Sequence, residues 1–146
     1  MKLISFILLT FIASWAYGQN EPEICQTNGV AIDGYDPVAF FTLGQPKKAK
    51  GEITYDWKSA TWRFESNENR DLFIANPEKY APQYGGYCAW GMREGYKAET
   101  RPKNAWTFHD GKLYLNYNKA VTDGWLPEKE KNIEIANNNW AEMTHQ

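Results

Sequence analysis

Cys88 is one of two cysteines in the chain, set in the run Tyr80-Ala81-Pro82-Gln83-Tyr84-Gly85-Gly86-Tyr87-Cys88-Ala89-Trp90-Gly91-Met92. A bend at Gly85-Gly86, with a helix starting near Tyr87, would put Cys88 in the first helical turn. Unpaired N–H groups and the helix dipole favour an anion there, which lowers a thiol pKa. Met92 follows at i+4, on the same helical face. Thiolate and thioether are soft donors of the kind that select Cu(I). His109 could be the third ligand, since the other histidine, His145, lies near the chain end. Cys88, Met92 and His109 are therefore the candidate metal ligands, with copper as the candidate ion.

Other chemistry fits the same residues. Cys88 and Met92 are also ordinary core residues. In an oxidising compartment Cys25 and Cys88 would pair. That disulfide closes a loop of about 63 residues and contributes roughly 4 kcal/mol in the chain-entropy model. A contact between Cys88 and His109 would instead make a thiolate for a thiol-based redox enzyme. Tyr84, Tyr87 and Trp90 are interleaved with glycines, and ring faces beside glycine can stack on a planar or sugar ligand. They would then line a site for a small ligand or a partner protein without metal. The same rings could equally pack the core. No glycine-rich phosphate loop and no esterase-type serine elbow is present. Lys47, Lys48 and Lys50 read as a solvated loop.

The elements that position these residues follow from local pattern. Asp36 caps and Pro37 opens a short helix over 37–43, stopped by Gly44. Ile53–Trp57 and Thr61–Glu65 alternate with period two and predict a hairpin across Lys58-Ser59-Ala60. Ser66 caps a helix to about Asn76, and Pro77 restarts a turn to Tyr80. Asp110-Gly111 suits a type I′ turn between Trp106–His109 and Lys112–Tyr117. Asn118 caps a helix to Asp123. Pro127 opens the last helix, where Ile133, Ala136 and Trp140 form one apolar stripe. The prediction is a single α+β domain, a small antiparallel sheet of two hairpins with several short helices packed on it.

Residues 1–18 have a signal-peptide layout: Lys2, an apolar run from Leu3 to Ala13, and Ala16-Tyr17-Gly18 at the cut. The run is shorter than the roughly 20 residues a membrane span needs. The expected product is exported, periplasmic or extracellular, without a membrane span. Residues 19–29 read as a loose segment, 30–141 as the domain and 142–146 as a tail. The formal net charge is −2, and no basic face argues for nucleic acid.

Five blocks resemble the YHS domain family in its exported, stand-alone form. They are Gly34-Tyr35-Asp36-Pro37-Val38-Ala39-Phe40-Phe41, Trp62-Arg63-Phe64-Glu65-Ser66 with the Asn67–Phe73 run, Pro77–Pro82, Tyr84–Ala89 and Asp110–Asn118. The resemblance spans about Ala31 to Trp140. It implies a non-enzymatic binding domain, with metals such as copper as the associated ligand. Metal-type members carry one cysteine soon after the Asp-Pro and another before the serine of the second block. Here those places hold Ala39 and Glu65, which leaves Cys88 as the replacement thiol.

Overall fold

The computed structural model describes residues 21–145. The expected leader, residues 1–18, lies outside the described residues. Among the described residues, no helix is long and apolar enough to cross a membrane.

Short strands Gln26–Thr27 (β1) and Val30–Ala31 (β2) lead into a tight turn over Ile32–Gly34 and the helix Pro37–Leu43 (α1). Strands Ile53–Trp57 (β3) and Ala60–Phe64 (β4) follow, then helices Asn67–Ala75 (α2), Pro77–Tyr80 (α3) and Ala89–Glu94 (α4). The hairpin Trp106–His109 (β5) and Lys112–Leu115 (β6) precedes helices Lys119–Trp125 (α5) and Lys129–Thr144 (α6). This is the expected small α+β domain. The four-stranded sheet has the order β1-β2-β4-β3, and β5-β6 form a separate ribbon. The sheet is not purely antiparallel: β2 runs parallel to β4 through the pair Val30–Thr61.

The segment expected to be loose is ordered from Ile24 onward. Ile24 is 1% exposed, and the Cys25 N–H donates to the Gly85 carbonyl at 2.9 Å. Asn28 and Gly29, both left-handed, close the β1–β2 turn. Asn-Gly favours this geometry because each residue accepts positive φ. At the other end, α6 runs to Thr144, so residues 142–144 belong to a helix.

Asp36 explains the Gly34-Tyr35-Asp36-Pro37 block. Its carboxylate is fully buried and accepts four hydrogen bonds: Oδ1 from the N–H groups of Val38 and Ala39, Oδ2 from the Glu65 N–H and the Asn69 side chain. One side chain thus caps α1 and ties it to the start of α2. Ser66 and Asn118 cap α2 and α5 as their types predict.

Two cores flank the β5–β6 ribbon. Leu113 and Leu115 face a cluster with Phe40, Trp62, Phe64 and Phe73. Tyr114, between them, faces the other way, onto Tyr84, Met92, Trp125 and Ala136. Alternation along a strand makes this unavoidable once both faces are covered. Helices α4 and α6 pack together over the second core.

Candidate ligand-binding site

Cys88 lies just before α4, at its N-cap, rather than inside the first turn. The residue is 3% exposed. Its thiol gives no cap to the helix and instead donates to Oδ1 of Asn116 at 3.4 Å. The same oxygen accepts the Trp90 N–H at 3.0 Å. Asn116 is itself fully buried, and its backbone is fixed by Ala105 and Arg101. The sulfur expected to be reachable is therefore enclosed, with its hydrogen bond made to a neutral side chain.

The predicted metal ligands do not assemble. Met92 is fully buried in the second core, one turn beyond Cys88. His109 sits at the turn end of the ribbon, paired in register with Lys112, and its ring lies 3.4 Å from the Asp110 carboxylate. Asn116, the partner of Cys88, is four residues along from Lys112. At roughly 3.3 Å per residue, that places it about 13 Å from the tip. A bond from nitrogen or sulfur to a metal spans about 2.0–2.3 Å. His109 thus joins neither a metal site nor a dyad with Cys88. Among the described residues, no group of three or more His, Cys, Asp and Glu side chains could hold a metal ion.

The three aromatic candidates also diverge. Tyr84 is buried, with its hydroxyl 2.9 Å from the side-chain oxygen of Asn137 and its ring against Tyr114 and Trp140. Trp90 lines a small apolar notch with Val121 and Gly124, under the Arg93 guanidinium. Tyr87 alone reaches a sizeable cleft. Its hydroxyl donates to the Pro22 carbonyl at 2.8 Å, and burial pushes its pKa up to about 12.

That cleft, of about 530 Å³, lies between the segment 25–33 and the loop 97–101. Its lining includes Cys25, Tyr87, Lys97, Glu99, Thr100 and Arg101. Cys25, read from sequence only as a disulfide partner, is half-buried here. Both cysteines are free thiols. Burial raises the Cys25 pKa; a hydrogen bond with Thr100 pulls it down, and the Glu99 carboxylate adds to the rise. The thiol therefore stays protonated at neutral pH and is no activated nucleophile.

The cleft wall is built by close backbone approach. Ile32 and Asp33 have φ of 40° and 56°, a conformation that is a true outlier for a β-branched residue. The Ile32 side chain fills the space where a Cβ on Gly86 would stand, at 2.5 Å. Only glycine fits at Gly86, and it brings Cys25 and Tyr87 to the same opening. Lys97 reaches across, donating to the carbonyls of Glu21 and Pro22 at 2.8 and 3.1 Å. Arg101 stacks on Tyr117 and donates to its hydroxyl at 2.8 Å. Cations and carboxylates thus share one rim, suited to a small polar ligand that carries both signs. The sequence signal was faint: Lys97-Ala98-Glu99-Thr100-Arg101 alternates charge without an apolar period, and its approach to Cys25 is purely tertiary.

Comparison of the chain with protein families, with curated proteins and with solved structures found no match.

Proposed function

We propose that the chain is an exported, non-enzymatic binding domain of YHS type. Its ligand is a small polar molecule held in the cleft beside Cys25 and Tyr87, without a metal. The observation that carries this reading is the convergence of Tyr87, Lys97, Glu99 and Arg101 on one cleft of about 530 Å³. The volume falls in the range of small-molecule sites. Thiol catalysis is disfavoured because burial keeps Cys25 protonated and Cys88 is closed off. Copper binding through Cys88 is disfavoured because Met92 is core and His109 stands at the far end of the ribbon.

Thermal denaturation with free amino acids, dipeptides and disaccharides tests the proposal. A ligand at a hundredfold excess over its Kd stabilises by about 2.7 kcal/mol, enough to move Tm by several degrees. One of these classes should do so, and Arg101→Ala should reduce the shift while leaving the ligand-free Tm close to the parent value. Titration of the reduced protein with Cu(I) against a competing chelator forms the second arm. Equal affinity for the parent and Cys88→Ser is expected. No shift with any class, or Cu(I) affinity lost in Cys88→Ser, would overturn the proposal.

A further inference from the structure

A second cleft, of about 490 Å³, opens where the loop after α1 meets the turn at 102–104. Lys47, Lys48, Lys50 and Lys103 all line it, with Glu65 as the one acid. Lys48 is shared with Asp33 at 3.0 Å, an exposed pair. Among the described residues, no carboxylate pairs with Lys47, Lys50 or Lys103. Positive charge is therefore concentrated here on a chain whose formal net charge is −2. Between the ammonium groups lie Tyr35, Pro46 and Leu43, the last 54% exposed.

The backbone adds a second feature. Tyr35 and Lys48 form an isolated antiparallel bridge. The flanking bonds run from the Asp36 N–H to the Lys47 carbonyl at 2.8 Å, and from the Ala49 N–H to the Gly34 carbonyl at 3.0 Å. In that arrangement the N–H and C=O of Lys48 point away from residues 34–36. Neither has a backbone partner among the described residues. They form a one-residue sheet edge beside a row of lysines.

We propose that this cleft binds an extended, acidic peptide segment of a partner protein. Carboxylates on alternate residues meet the lysines, the intervening apolar groups cover Leu43 and Pro46, and the main chain pairs with Lys48 by strand addition. Lysine fits such a surface because its ammonium is a point charge on a flexible stem and imposes no planar geometry on its partners. The free edge at Lys48 is what favours a peptide over a lipid headgroup, which has no main chain to pair. This cleft shares no lining residue with the one beside Cys25, so the two proposals are tested separately.

The test is fluorescence anisotropy with the full chain and a fluorescein-labelled decapeptide alternating Glu with Thr and Leu. Saturable binding that weakens with added salt is expected. Lys50→Gln/Lys103→Gln should raise Kd by about fivefold, the size two exposed ammonium–carboxylate contacts supply. Lys131→Gln, on the exposed side of α6, should leave it unchanged. N-methylation of alternate peptide bonds should weaken binding further, whereas a lipid-type or purely ionic site would ignore it. Unchanged affinity in the double variant, no saturable binding, or sedimentation with phosphatidylglycerol vesicles but no peptide binding would each overturn the proposal.

Discussion

The Cys88 thiol donates to the side-chain oxygen of Asn116 across 3.4 Å, in a site closed to solvent. Cys25, by contrast, opens onto the main cleft. The two thiols should therefore separate in a labelling experiment. Cys25 should react with a maleimide in the native protein, slowly at neutral pH and faster as pH passes 9. Cys88 should react only when the whole domain unfolds. Mass spectrometry after timed labelling, with and without urea, distinguishes them; equal native rates would contradict the enclosure of Cys88.

Asp36 makes a stronger demand on stability. Asp36→Ala leaves four donors without their acceptor, two of them in the first turn of α1. Loss of a cap costs about 1 kcal/mol, and each buried donor left unpaired about 1–3 kcal/mol. Urea denaturation should show a loss of about 3 kcal/mol or more. Asp36→Asn keeps the cap acceptor and should lose less.

Glycines at positive φ should split into two classes. A Cβ on Gly85 would stand 1.9 Å from the Glu23 carbonyl oxygen, whereas one on Gly111 would meet nothing within 4 Å. Gly111→Ala carries only the left-handed penalty, about 1–2 kcal/mol. Gly85→Ala must in addition push the 23–25 segment away. It should cost clearly more, and hydrogen exchange at the Cys25 amide should speed up far beyond the global change. Similar losses in the two variants would show that the segment gives way freely.

Alkaline pH should destabilise the fold in a defined window. Burial raises the pKa values of Cys25, Tyr84 and Tyr87 above their ordinary values of 9.0 and 10.0. Each folded-state group resists losing its proton more than the unfolded chain does. Stability is thus fully present below pH 9 and lost as pH rises, with Tyr87 releasing its proton near 12. Tm measured from pH 8 to 12 should fall, with tyrosinate absorbance rising as the protein melts. Tyr84→Phe should flatten the upper part of that curve.

Most elements were legible because their signals are local. Asp36, Ser66 and Asn118 cap the helices their types predict, and Gly44 and Asp110-Gly111 stop or turn the chain where expected. Asn28-Gly29 carried an equally good turn signal. Its flanking strands are two residues long and show no alternation, so no period marks them in the sequence. The parallel step from β2 to β4 rests on a single pair, which no local pattern encodes. The candidate sites were less legible for a similar reason. Spacing placed Cys88 and Met92 near one helix but could not show that the Asn116 side-chain oxygen accepts a hydrogen bond from the thiol. Neither cleft has a contiguous sequence signature: one joins residue 25 to residues 97–101, the other joins a loop near residue 48 to residue 103.

The β5–β6 ribbon carries a cluster on each side, and its residues are shared by both. Slipping its pairing by one position would turn Tyr114 toward the phenylalanines and Leu113 and Leu115 toward Trp125, ruining both halves together. The molecule should consequently melt as one cooperative body, with calorimetric and van't Hoff enthalpies in agreement and no half-folded species on the way.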